Sequence, residues 1–298
     1  MIAVEAATLL GGETSPFGPS RKSVRGPPSG RTVDPLGVAH HAQPCHRGLS
    51  RTERSQLFDT TVILFFTVAL TAGLARGFSG FGAALIFMPL ASAIASPQIA
   101  AAVLVLIDLV FSAPLIVKAL QRVSLVPILI MLVGAAVTVP VGTWVLKTAD
   151  PIVLRWMIAA LCTAMLGLLI SGWRYAGEAM PTITFGVGAL SGLFTGISQL
   201  GGPPVVAYWL GGKNKTADTR ANIILFIAGS SLISLVTYFF GGLFGQQAVT
   251  WAAISGPAYG LGLFAGARLF GFASEPTFRR VCFGLIALAV ITSLPLWR

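Results

Sequence analysis

Two ten-residue stretches carry most of the residues able to do chemistry in this chain. Residues 73–82 read Gly-Leu-Ala-Arg-Gly-Phe-Ser-Gly-Phe-Gly, and residues 192–201 read Gly-Leu-Phe-Thr-Gly-Ile-Ser-Gln-Leu-Gly. Without a gap they agree at Gly73/Gly192, Leu74/Leu193, Gly77/Gly196, Ser79/Ser198 and Gly82/Gly201. Glycines crowded inside a long apolar run break a helix. The backbone groups so released cost several kcal/mol each in hydrocarbon unless protein or a watered cavity satisfies them. A helix that restarts after such a break presents unpaired N–H groups and about half a positive charge, which attract anions. Gly202-Pro203-Pro204 makes that restart in the second copy, and proline in a first turn forfeits no intrahelical bond. Ser198 and Gln199 stand just upstream as donors to an oxyanion.

Around the breaks lie a few polar residues with two readings each. Arg76 is either the cationic partner of an anion or an arginine snorkelling to the interface. Asp108 is the only acidic residue well inside an apolar segment. Intramembrane acids are costly and commonly functional, so it reads as a proton carrier or as the structural partner of Arg76. Asn222, whose amide is expensive to bury unpaired, lies deep enough to line the site. Arg220 reads as an orientation charge, and Lys213 and Lys215 as loop charges. Gly188, Gly192 and Gly196, four apart, also form a small-residue packing stripe. Gly188 and Gly192 are assigned to packing, Gly196 to Gly202 to the break. The candidate anion site therefore comprises Arg76, Gly77, Ser79, Gly80, Gly82, Gly196, Ser198, Gln199, Gly201, Gly202, Pro203 and Asn222, with Asp108 as the candidate coupling residue.

The elements that position these residues follow from composition. Of 298 residues 55% are hydrophobic and 10% charged, against roughly 25% charged in soluble domains; the class is an all-α polytopic membrane protein. The net charge of +10 comes from basic residues scattered singly between apolar runs, which fits topology rather than nucleic acid. Residues 1–57, rich in Gly, Pro, Ser and Arg, hold seven Lys/Arg against four Asp/Glu and read as a disordered basic tail. A true start near Leu57 is the alternative; since no methionine falls between Met1 and Met88, it would need another start codon. Residues 58–298 form the membrane domain. Helices are expected at about 60–76, 82–96, 98–118, 124–146, 152–172, 182–198, 203–212, 221–241, 248–270 and 277–297, eight to ten of them crossing. Residues 82–96 and 203–212 are short for about 30 Å of hydrocarbon and read as half-helices.

Segments 1–5 (about 60–172) and 6–10 (about 182–297) repeat. Asp150-Pro151-Ile-Val-Leu-Arg155 before segment 5 matches Glu275-Pro276-Thr-Phe-Arg-Arg280 before segment 10, each an acidic cap with proline in the first turn. Five segments per half is odd, so the halves have opposite topology. Arg76, Lys118, Arg122, Arg174, Lys213, Lys215, Arg220, Arg268, Arg279 and Arg280 share one side, which is then cytoplasmic. The other side holds Lys147, Arg155 and Arg298, and the basic tail falls on it against the rule.

Gly-Phe-Ser-Gly-Phe-Gly-Ala-Ala (77–84), Gly-Ile-Ser-Gln-Leu-Gly-Gly-Pro-Pro (196–204) and Gly262-Leu-Phe-Ala-Gly266-Ala-Arg268 resemble the glycine signatures of the sulfite exporter TauE/SafE family. The resemblance covers about 60–298. It implies a bacterial inner-membrane permease, a secondary transporter of sulfite, a sulfonate or another small organic anion. The first copy departs from the second in having Ala83-Ala84 where the second has Gly202-Pro203, so its break is expected to be less open. Two other classes compete. Gly77-Phe-Ser79-Gly80 looks like the Gly-x-Ser-Gly of rhomboid proteases, but an intramembrane serine needs a base and no histidine lies beyond His46. A membrane subunit of a larger complex or a channel would need no matched breaks. No enzyme activity, cofactor or metal is expected: the cysteines (Cys45, Cys162, Cys282) and histidines (His40, His41, His46) have no ligand spacing, and no nucleotide motif occurs. The expected partners are the anion, the bilayer and a coupling proton or ion, without nucleic acid; oligomeric state, transport direction and the identity of the anion stay open.

Overall fold

The computed structural model describes residues 51–269 except 122, 124, 176, 178, 179 and 211–215, together with 284 and 287; side chains are described from Thr60. The chain divides into two compact units, Met1–Phe58 and Asp59–Arg298. The described residues form nine helices and no strand: α1 (Arg51–Ser79), α2 (Ala83–Ile94), α3 (Pro97–Leu120), α4 (Leu125–Thr148), α5 (Pro151–Ser171), α6 (Pro181–Ser198), α7 (Gly202–Trp209), α8 (Thr216–Gly241) and α9 (Gln246–Leu269). Six of the nine are long and apolar enough to cross a membrane. That is fewer than the eight to ten expected: α2, α6 and α7 are too short or too polar to qualify by themselves, and segment 277–297 lies outside the described residues.

Local chemistry sets the ends. Asp150 accepts from the Ile152 N–H at 2.8 Å ahead of Pro151, the side-chain cap and first-turn proline read in the sequence, and Ser96 caps α3 the same way, accepting from the Ile99 N–H at 3.3 Å ahead of Pro97. The Glu275-Pro276 counterpart is outside the described residues. Leu125, Val126, Leu129, Val133, Val137 and Trp144 are exposed along α4, an apolar stripe suited to lipid.

Glycine faces let backbones touch. Gly134 and Gly142 of α4 lie against α6, as Gly188, Gly192 and Gly196 of α6 lie against α4; Gly73 and Gly77 of α1 lie against α9, as Gly262 and Gly266 of α9 lie against α1. A Cβ at any of them would overlap neighbouring backbone. Between these pairs α3 packs on α8 and α9, and α8 also packs on α4. α7 doubles back: the Tyr208 hydroxyl is 2.6 Å from Thr184 Oγ1 near the start of α6, and the Ala207 carbonyl accepts from the Tyr175 N–H at 3.1 Å. Thus α6 and α7 form a re-entrant hairpin that returns to the end of the bundle where α6 began.

Three pairs of helix boundaries share one spacing. Ser79 and Ser198 end α1 and α6, Ala83 and Gly202 begin α2 and α7, and Pro97 and Thr216 begin α3 and α8, each pair 119 residues apart.

Candidate functional site

Both breaks use the same backbone. Gly80 adopts φ +84°, and its repeat partner Gln199 adopts φ +58°. Glycine reaches that left-handed region freely, whereas a side chain there costs roughly 1–2 kcal/mol. Gln199 is held by its amide nitrogen, which donates to the Thr195 carbonyl at 3.0 Å and to the Tyr238 hydroxyl at 3.2 Å. Tyr238 in turn donates to the Gly196 carbonyl at 2.9 Å. In the first break Ser79 Oγ donates to the Ala75 carbonyl at 2.7 Å and accepts from the Gly82 and Phe81 N–H groups at 3.1 and 3.3 Å. Its hydroxyl therefore caps the restart of α2, a structural task rather than that of a nucleophile. Ser198 Oγ, its counterpart, only donates back to Phe194 at 3.3 Å.

The breaks are narrower than expected. Gly77 and Gly196 are helical, and their bare Cα faces α9 and α4 respectively, so both belong to the packing stripes. The non-helical backbone is confined to Gly80–Gly82 and Gln199–Gly201.

Arg76 does not snorkel. It is 1% exposed, and its Nε and Nη2 donate to the two oxygens of Asp108 at 2.9 and 3.0 Å, while Nη1 donates to the Gly80 carbonyl. Asp108 Oδ1 also accepts from Ser112 at 2.8 Å and from Tyr259 at 2.5 Å. One carboxylate thus ties the break-side end of α1 to α3 and α9. A bidentate guanidinium–carboxylate pair with these further donors meets the conditions under which a buried charge pair survives. Three of the five guanidinium N–H groups are committed.

α8 presents one face to both breaks. Arg220, Ile224, Ile227, Ser231, Ser234 and Tyr238 follow at spacings of four, three, four, three and four, a single helical stripe. Arg220 Nη2 donates to the Gly77 carbonyl at 2.5 Å, and the Ile224 side chain borders Gly80. Ile227 borders Gly202, and Phe81 of the first break also borders Gly202. The two breaks are therefore neighbours. The corresponding stripe of α3, 119 residues earlier, carries Asp108 and Ser112. Asn222 is buried and stands about 160° round α8 from Arg220 at 3.6 residues per turn. Pro203 opens α7 as expected.

Sequence reasoning set Arg220 aside and missed Ser112, Tyr238 and Tyr259. Their partners lie between four and 151 residues away. Only the three/four spacing of the α8 stripe was available as a signal.

A family model described as sulfite exporter TauE/SafE matches residues 65–293. The chain belongs to the sulfite exporter TauE/SafE family. No curated protein and no solved structure matches it in the other two comparisons. The match spans both breaks and the helices that hold them, so the geometry above is that of a TauE/SafE membrane protein, in a family of transporters.

Proposed function

We propose that this TauE/SafE protein is a secondary transporter of a small anion, sulfite or a sulfonate among the candidates, in a bacterial inner membrane, with the site where its two breaks meet. The reading is carried by one observation: Phe81 of the first break and Ile227 of α8 both border Gly202 at the start of α7, while the buried Arg76 donates to the Gly80 carbonyl of that first break. Helix boundaries repeating at 119 residues support two related halves. The pairing of α1 with α9 and of α4 with α6 supports their inversion, because each joins the first segment of one half to the fourth of the other.

In this reading the guanidinium of Arg76 and that of Arg220 supply positive charge, and Gly80, Gly82, Gly201 and Gly202 shape the two breaks beside them. Asp108 holds two of the Arg76 donors. An anion competes with it for that edge, and a proton on Asp108 would cancel the competing charge. Anion and proton would then bind together, which makes Asp108 the coupling residue. The basic tail 1–57 takes no part.

The test is transport of labelled sulfite and a panel of small sulfonates and carboxylates in inverted vesicles, with and without a proton gradient. Accumulation that collapses with the gradient is expected. Passive, non-saturating flux would favour a channel, and no flux of any panel member would refute the reading.

A further inference from the structure

We infer that the hydroxyls of Ser191 and Ser234 line a neutral subsite at the second break that hydrogen-bonds the oxygen atoms of the transported oxyanion. The inference rests on the anion-transporter reading above.

Serine and threonine in these helices donate back to a carbonyl one turn earlier as a rule: Thr184, Thr195, Ser198, Ser230 and Ser255 all do so. Ser191 and Ser234 do not. Each is 0% exposed, and among the described residues neither hydroxyl has a hydrogen-bond partner. A buried hydroxyl without a partner is unfavourable, and such groups in native proteins usually await water, a ligand or a catalytic partner.

Both are placed at the same break. Ser191 and Thr195, one turn apart on α6, meet Gly201: the Ser191 carbonyl would lie 2.5 Å from a Cβ there, and Thr195 Oγ1 is also against it. Ser234 lies on the α8 stripe between Ile227, which borders Gly202, and Tyr238, which bonds Gly196 and Gln199. Ser191 thus lies beside the restart of α7, and Ser234 on the α8 stripe that reaches the end of α6 at Tyr238.

The chemistry favours an anion's oxygens over a cation. Three carbonyls near the end of α6 that could hold a cation are already engaged: Phe194 by Ser198, Thr195 by Gln199, and Gly196 by Tyr238. The start of α7 is short of donors for its part, because Pro203 and Pro204 carry no N–H. Two hydroxyl donors beside it replace what the prolines remove. Repeat positions sharpen the contrast. Arg76 corresponds to Thr195 and Asp108 to Ile227, so the first break is ionic and the second is lined by neutral hydroxyls.

The test uses the full chain in proteoliposomes with sulfite, methanesulfonate and acetate, and its melting temperature in detergent. Ser191→Ala and Ser234→Ala should each raise the half-saturation concentration roughly 3- to 10-fold, the loss of one neutral hydrogen bond. Ser230→Ala, which removes only a back-bond, should leave it unchanged. The near-isosteric Ser191→Cys and Ser234→Cys, weak donors, should be intermediate, and they decide the matter if an alanine variant does not insert. Unchanged half-saturation with an unchanged or raised melting temperature would show serines without a ligand and overturn the subsite alone. Failure of the unsubstituted protein to move any of the three anions would overturn the transporter reading and the subsite with it.

Discussion

Gly82→Ala and Gly201→Ala place the same methyl group at the same step of two breaks, and the outcomes should differ. Both glycines are right-handed, φ −66° ψ −3° and φ −71° ψ −8°. The backbone therefore accepts alanine, and the loss of unfolded-state entropy favours it by about 0.4–1 kcal/mol. At Gly82 the nearest atoms to the new carbon are Ser79 Oγ at 3.3 Å and Ala75 Cβ at 3.4 Å, contacts that small shifts relieve. The net effect should lie within about 0.5 kcal/mol of zero. At Gly201 the Ser191 carbonyl stands at 2.5 Å, and Thr195 Oγ1 is in the way. Overpacking of this kind costs about 1–3 kcal/mol. Turning Thr195 aside breaks its 2.8 Å bond to Ser191, about 1 kcal/mol more. Less the entropy gain, Gly201→Ala should lose about 2 kcal/mol. Melting of purified protein in detergent should fall by several degrees for Gly201→Ala and stay put for Gly82→Ala, and transport per inserted molecule should drop at least about tenfold in the first only. These contacts make Gly201 the more tightly packed position, the reverse of the expectation that the first break is the less open one, and equal behaviour of the two variants would refute that.

Three further outcomes follow from the geometry. Arg76→Gln leaves the buried Asp108 carboxylate with Ser112 and Tyr259 alone, and should cost about 3–5 kcal/mol in stability; adding Asp108→Asn should restore folding but leave anion half-saturation about 10- to 150-fold weaker, and normal affinity in the double variant would exclude Arg76 from the site. Gly192→Ala, against Ala135 and Thr138 of α4, should lower the melting temperature without changing half-saturation, and a changed half-saturation would move this glycine from packing to binding. In a cysteine-free background an impermeant maleimide applied to intact cells should label Thr148→Cys and spare Gln121→Cys; the reverse would invert the proposed orientation.

The breaks could be read from sequence because their cause is local: a left-handed turn needs Gly80, and the same spacing recurs at Gln199. The proline cap at Asp150 was local too. What could not be read was what each glycine faces. Gly77 and Gly80 look alike as letters, yet one meets the backbone at Leu263 and the other frees a turn. A missing Cβ permits either role, and the neighbour that decides is nearly two hundred residues away. A separation of 151 residues likewise hid Tyr259 from Asp108.

The glycine contacts also decide what can move. Bare backbone pressed on bare backbone at Gly73, Gly77, Gly262 and Gly266, and again from Gly134 to Gly196, resists sliding, since any shift in register drives side chains into the opposite helix. Each of these seams joins helices from different halves. On the transporter reading proposed above, halves stitched together in this way would not rock as two blocks; the rigid units would be the mixed pairs α1–α9 and α4–α6, and access would alternate between α3 and α8, which pack on each other between the seams. Disulfides linking α1 to α9 should accordingly leave transport intact, and one linking α3 to α8 should arrest it.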